Sequence, residues 1–227
     1  MRRLFAFEAQ LHFHATAPRG MLAGTAGPSS GSTIMLMLYF APGSSSMAPH
    51  IALHEIGVPF EARPISFGKK ETQSPAYRAV NPEGKVPALL IDGRLLNEVA
   101  AILYYLARTY PDAKLWPTGG VEAEAQAISW MSFAAASLHP ARALGPERTR
   151  VVYEIANARM AGRTWAVGEA YSIADIHLFR LYWRFRGGQD GVPPYPNLEA
   201  HYGRMMARAA VQKTIAAEAA VGYELPG

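Results

Sequence analysis

Three consecutive serines, Ser44, Ser45 and Ser46, follow Pro42-Gly43 and lead directly into an apolar pattern with helical spacing, Met47 to Ile56. Hydroxyls at the start of a helix sit where unpaired N–H groups and the helix dipole favour negative charge. One hydroxyl bond to a charged acceptor is worth about 1.5–3 kcal/mol. Such a turn can therefore stabilise an anion without any base. Ser46, last of the three, is also the expected N-cap. Four further groups stand out. Val86-Pro87 opens an apolar run, and Glu98 opens a helix whose first N–H groups can receive a carboxylate. Lys69-Lys70 lies in a polar, irregular stretch. Ser132 and His139 are seven residues apart, which places both on one face of a regular helix, and His139 could move a proton or donate to an anion. The chain contains no cysteine. That excludes a disulfide framework, a thiolate metal site and a nucleophilic thiol of the protein itself, and no metal is expected.

These residues need a scaffold, and the patterning supplies one. Ile34 to Phe40 reads as a strand, and Gly57 as the left-handed stop of the helix that begins at Met47. Val58 to Ile65 reads as an edge strand because of Pro59 and Pro64. A turn of helix near Ser74 to Ala79 comes next, then a third strand, Val86 to Ile91. Asp92-Gly93 is a hairpin signal that returns the chain through Arg94 to Leu96. Glu98 to Thr109 is helical, with Val99, Ile102, Leu103 and Leu106 on one face. Pro111 to Pro117 reads as a linker. Beyond it everything is helical: one long helix from Val121 to Leu144 with Val121, Ala125, Ile128, Met131, Ala135 and Leu138 as its inner stripe, a capping box at Ser172 and Asp175, and a last helix from Leu198 to Ala217 followed by a loose tail. The large aromatics from Trp165 to Phe185 read as core and cleft lining. The expected organisation is a flexible leader over residues 1–34, an α/β unit over 35–111 and an all-helical unit over 112–227.

The leader is rich in Gly, Ser, Ala, Thr and Pro and has little to bury. Its apolar stretch is broken by Glu8, Gln10, His12 and His14, which argues against a signal peptide, while its arginines and scarcity of acids leave a transit peptide open. Met35 or Met37 reads as the natural start. Arg2, Arg3 and Arg19 against Glu8 give the leader a net +2, half of the formal +4 of the 227-residue chain. The remainder is nearly balanced, so no broad basic field points to nucleic acid, and no apolar run is long enough to span a membrane.

The segment from Leu38 to Leu53 resembles the opening of the bacterial beta-type members of the glutathione transferase superfamily. Asn81-Pro82-Glu83-Gly84-Lys85-Val86-Pro87 resembles the superfamily's cis-proline segment, and Leu96-Asn97-Glu98-Val99 its glutathione-carboxylate segment. Ser172 to Asp175 and Tyr195 to Leu198 resemble landmarks of its helical domain. The resemblance runs from about Met35 to the C-terminus. It implies a thioredoxin-like domain with a four-stranded mixed sheet, followed by an all-α domain.

The resemblance also implies a chemistry. Glutathione is the co-substrate, with no tightly bound cofactor, and a small hydrophobic electrophile is the second partner. The cytoplasm is the expected location and a homodimer the expected assembly. Ser45 takes the position of the beta-type cysteine. The hydroxyl that holds the glutathione thiolate is expected in the order Ser45, Ser44, Ser46. Tyr39 is expected to be structural. Lys70 is expected near the glycyl carboxylate, and the Val86-Pro87 backbone along the cysteinyl part. Glu98, Val99 and Ser132 complete the glutathione site, and His139 approaches the sulfur. Because the 139–168 stretch is short, the rim of the second-substrate pocket should be truncated. Two other readings remain open at this point: a glutathione peroxidase or isomerase, and a non-catalytic glutathione-transferase-like binding protein.

Overall fold

A computed structural model describes residues 34–186 and 195–225 of the chain; residues 1–33 of the expected leader lie outside them. Strand β1 (Leu36–Phe40) is followed by helix α1 (Met47–Ile56), β2 (Glu61–Pro64), α2 (Pro75–Val80), β3 (Ala88–Ile91), β4 (Arg94–Asn97) and α3 (Val99–Thr109). The sheet order is β2-β1-β3-β4, with β1 parallel to β2 and antiparallel to β3, and β3 antiparallel to β4. Period-two alternation splits each strand between two faces. Leu36, Leu38, Phe40, Leu89 and Ile91 pack toward α1 and α3, whereas Tyr39 and Ala88 pack with Ile65 and Tyr77 on the α2 side. Helix α1 is apolar nearly all round, as its position demands: Met47 to Leu53 are all buried, between the sheet and α3 on one side and the helical half on the other.

The helical half comprises α4 (Gly120–Phe133), α5 (Pro146–Arg159), α6 (Ile173–Arg186), α7 (Pro196–Met206) and α8 (Ala209–Val221). Among the described residues no helix is long and apolar enough to cross a membrane. Three expectations are corrected here. First, the inner face of α4 carries Ala127, Trp130 and Met131, while Val121 and Ile128 are exposed. Trp130 sets the phase, packed inward with its Nε1 donating to the Ala166 carbonyl at 2.8 Å; a run of alanines left that phase ambiguous. Second, the last helix is two helices. The chain turns at Ala207-Arg208, where Arg208 is extended and its guanidinium grips Glu55 of α1 at 2.6 and 3.1 Å. Third, the tail is tied down. Glu224 accepts from the Ser66 hydroxyl and the Gly68 N–H at 2.7 and 2.9 Å, and Tyr223 packs on Trp183.

The long helix after the linker also changes character. Past Phe133 the backbone widens into a π turn, Ala134–Leu138, in which the His139 N–H bonds the Ala134 carbonyl five residues back. Pro140 explains the break. It has no N–H to give Ala136, and its ring crowds that carbonyl, so the ladder re-registers one residue earlier.

Asp175 anchors the helical half. Its buried carboxylate accepts from the Ser172 N–H (2.9 Å), the Ser172 hydroxyl (3.1 Å) and the Ala166 N–H (2.7 Å), and faces His201 Nε2 at 3.0 Å. The capping box is thus present, but the Ser172 hydroxyl donates to the carboxylate and accepts from Ala174 rather than from the third residue. Asp175→Ala leaves several buried donors without an acceptor. It should lower unfolding stability by about 3 kcal/mol or more, measured by urea denaturation.

Candidate active site

The serine turn is built from its own hydrogen bonds. Ser46 Oγ accepts the Ala41 N–H and donates to the Ala41 carbonyl, both at 3.1 Å. With that proton committed, Ser44 is the donor in the 2.7 Å bond between the Ser44 and Ser46 oxygens, and Ser44 Oγ also accepts the Ser46 N–H at 3.2 Å. Both side chains are buried. Ser46 therefore does not cap α1 with its side chain, contrary to expectation; it holds the turn closed. Ser45 differs. It is part-exposed, and its hydroxyl makes one long bond, 3.3 Å, to the Val86 carbonyl across the cleft.

The turn is gripped from the helical half. Arg180 of α6 donates through Nε to the Ser44 carbonyl (2.8 Å) and through Nη2 to the Gly43 carbonyl (3.1 Å). Glu218 of α8 accepts the Gly43 N–H at 2.6 Å and faces His50 Nδ1 of α1 at 2.9 Å. Arg180, Glu218 and His50 are all buried. Gly43 is required here. Its φ is +71°, and a Cβ would lie 2.6 Å from Leu225 Cδ1 of the tail.

The opposite wall is the segment before β3. Tyr77 Oη and Asn81 Nδ2 both donate to the Lys85 carbonyl, at 2.6 and 2.8 Å, and Asn97 Nδ2 donates to Asn81 Oδ1 at 3.2 Å. Gly84 runs so close to Thr72 that a Cβ would meet its carbonyl oxygen at 2.7 Å. These contacts present the Val86 backbone to the cleft, and the Val86-Pro87 peptide is cis. Glu98 precedes α3 with a left-handed φ of +66°. Its carbonyl takes the Ile102 N–H, so α3 starts at Val99 with its first N–H groups unpaired within the helix.

Two adjoining hollows share Ser45, Lys85, Val86 and His139. One, of ≈ 280 Å³, is bounded by Asn97, Glu98, Val99 and His177. The other, of ≈ 380 Å³, extends toward Arg142, Tyr153, Arg180, Arg184 and Phe185. Ser44, Ser45, Val86, Pro87, Glu98, Val99 and His139 are thus brought together. Lys70 and Ser132 line neither hollow; both are exposed. Lys70 sits beyond a loop anchored by Glu224, and the π turn between Ser132 and His139 removes the seven-residue phase that would align them. Tyr39 lies outside both hollows, packed edge-on against Tyr77 with its hydroxyl accepting from Arg63. Sequence reasoning missed Arg180 and Glu218, which act over 136 and 175 residues, and it missed Lys85, Asn97 and His177. Lys85, adjacent to Val86, and Asn97, adjacent to Glu98, carried a local signal.

Burial, reinforced by the positive charge of Arg180 and opposed by Glu98, holds the His139 imidazole below its usual pKa. His177 is fully enclosed. Burial, followed by Arg180 and His139, pushes its pKa down to about 3, and its Nδ1 has no hydrogen-bond partner among the described residues. Asn97 Oδ1 is likewise buried and unpartnered beside the start of α3.

Two predictions follow from this geometry. Glu218→Ala leaves His50 and the Gly43 N–H buried without an acceptor. It should cost about 3–5 kcal/mol of unfolding stability in urea. His177 stays neutral in the fold but takes a proton in the unfolded chain. Its contribution is therefore present above pH 6.5 and lost as pH falls toward 3, by up to about 1.4 kcal/mol per pH unit. Denaturation of His177→Phe at pH 7 and pH 5 should show a shallower loss than wild type. Some loss should remain, because His54, pushed down to about 4 by burial and by His50 and Lys213, titrates in the same direction.

Known proteins share this architecture. Family models for the glutathione S-transferase N-terminal and C-terminal domains match residues 38–114 and 140–209. The chain is 33% identical over 204 residues to glutathione S-transferase GST-4.5 of Xanthomonas campestris, covering 81% of this chain and 98% of that protein. It is 34% identical to the structure of a sphingomonad glutathione S-transferase complexed with glutathione, with a TM-score of 0.72 and coverage of 81% and 98% of the two chains. It is also 34% identical to the beta class glutathione S-transferase of Sphingomonas chungbukensis, with a TM-score of 0.70 and coverage of 80% and 98%. A four-stranded mixed sheet, an all-helical second half and these matches together lead to one conclusion: the chain belongs to the glutathione S-transferase family.

Proposed function

We propose that the protein binds glutathione between the serine turn and the Val86 segment and holds it as a thiolate for transfer to an electrophile. The observation that carries this reading is the asymmetry among the three serines. Ser44 and Ser46 have their protons committed inside the turn, whereas Ser45 has only a 3.3 Å bond to the Val86 carbonyl. On binding, the cysteinyl N–H of glutathione takes over that carbonyl, in the manner of an added strand, and frees the Ser45 proton for the sulfur. The γ-glutamyl carboxylate meets the unpaired N–H groups at the start of α3, with Glu98 near the amino group. Lys85 lines both hollows and takes the place expected of Lys70 in facing the glycyl end.

A free thiol has a pKa of about 8.5. A charge-assisted hydroxyl bond of about 1.5–3 kcal/mol lowers that by about one to two units. The thiol proton leaves to solvent. The thiolate then forms the C–S bond, and the leaving group departs with its electron pair. His139, held neutral beside the sulfur position, donates its ring N–H there. The chain has no cysteine, so no protein thiol can form a mixed disulfide with glutathione.

Ser45→Ala should raise the pKa of bound glutathione by about one to two units and lower conjugation at neutral pH by about 10- to 100-fold, with little change in glutathione affinity. Ultraviolet titration of the bound thiolate measures it. Ser44→Ala should leave that pKa in place and instead loosen the turn; the reverse pattern would move the role to Ser44. The assembly is a homodimer in this reading, covering the exposed Tyr104, Val121 and Ile128 of α3 and α4. Sedimentation should give about twice 24.7 kDa, and Val121→Glu with Ile128→Glu should shift it to the single-chain mass.

A further inference from the structure

The larger hollow has a composition that a purely apolar second substrate does not call for. Its wall on the helical side is formed by Arg142, just beyond the π turn, and by Arg180 and Arg184 of α6. Positions 180 and 184 are four apart and so lie on one helical face, and Leu181 and Phe185 of the same helix line the hollow beside them. Lys85 closes the opposite edge. No aspartate or glutamate is among the described residues that line this hollow. Glu218, buried, is engaged by the Gly43 N–H and His50, and Glu83 of the adjoining hollow stands 3.4 Å from the Lys85 ammonium.

We infer that this hollow binds an electrophile carrying a carboxylate, with the apolar body of the molecule on Leu181 and Phe185 and the carboxylate against Arg142 and Arg184. The inference rests on the reading of the cleft as a glutathione site and narrows its second substrate from a hydrophobic electrophile to an anionic one.

Arg180 is tied to two backbone carbonyls and holds the turn; Arg142 and Arg184 line the hollow beside it. Whatever else Arg142 and Arg184 touch, a guanidinium keeps its charge and offers five N–H donors in a fork that fits a carboxylate. Like charges crowded on one wall repel one another. Burial, with Arg184 and Arg142 adding to it, brings the Arg180 pKa down to about 10, against opposing pulls from Tyr153 and Glu218. An anion in the hollow relieves that repulsion, and a neutral ligand does not. The apolar residues are equally necessary: they exclude water from around the charge and make the contact stronger than a surface ion pair.

The test uses two ligands that differ only in the hollow: S-benzylglutathione and S-(4-carboxybenzyl)glutathione, titrated calorimetrically into the full chain. Wild type should bind the carboxylate ligand about 10-fold more tightly. In the Arg142→Gln/Arg184→Gln double variant that preference should fall to about twofold or less, while S-benzylglutathione affinity stays within about threefold. The Arg142→Lys/Arg184→Lys variant, which keeps the charge, should retain most of the preference and shows that the sites tolerate substitution. Equal affinity of wild type for the two ligands overturns the inference. So does a preference that survives the glutamines, or an equal loss for both ligands. If S-benzylglutathione itself fails to bind wild type at millimolar concentration, the glutathione reading falls and this inference with it.

Discussion

The cleft depends on a buried grip that crosses the two halves of the molecule. Arg180 holds the carbonyls of Gly43 and Ser44, and Glu218 holds the Gly43 N–H. Three backbone groups of one short turn are thereby fixed by side chains on two different helices. A turn with glycine at a left-handed φ has many conformations available when free. Pinned from behind, it has one, and that one closes the Ser44 and Ser46 hydroxyls on each other while leaving Ser45 at the cleft. The arrangement is stable only as a whole. A buried carboxylate or guanidinium is costly when its partners are removed, so the sheet half and the helical half must fold onto each other for the turn to form.

The same logic orders the rest of the site. Asp175, satisfied by Ser172, Ala166 and His201, fixes the start of α6 and hence the height at which Arg180 meets the turn. The tail packs Leu225 against Gly43, where it also lines the larger hollow. On the far wall, Tyr77, Asn81 and Asn97 hold the chain before β3 through its carbonyls, so that the Val86 backbone faces Ser45. Positive charge gathers where these supports converge. Arg180 is needed structurally, and its charge adds to burial, the larger cause, in lowering the pKa of both His139 and His177. In the proposed reading, that charge favours the bound thiolate.

The strands, α1, α3 and the hairpin were legible because local periodicity and turn chemistry determine them. Gly57 stops α1 with a φ of +74°, and Asp92-Gly93 turns the hairpin between β3 and β4. The serine turn and Val86-Pro87 were legible for the same reason, since each is a short contiguous motif, and the structure brings the two to one cleft. What escaped is non-local. Nothing near Arg180 or Glu218 marks them as partners of Gly43. The phase of α4 was misjudged because alanines fit either face, and Trp130 decides it only through a contact 36 residues away. Ser132 was grouped with His139 on the assumption of a regular helix, and Pro140 turns that helix into a π turn. Lys70 was placed by analogy of position, whereas the adjoining backbone is held away by the tail.

Activation of glutathione turns on which atom of the serine turn meets the sulfur, and a crystal structure of the protein with glutathione bound reads this directly. The sulfur should lie within hydrogen-bond distance of Ser45 Oγ, with the Val86 carbonyl released to the cysteinyl N–H and the Arg180 and Glu218 contacts to Gly43 and Ser44 unchanged. A sulfur held by Ser44 Oγ, with the Ser44–Ser46 bond opened, or a glutathione seated away from the Val86 backbone, would contradict it.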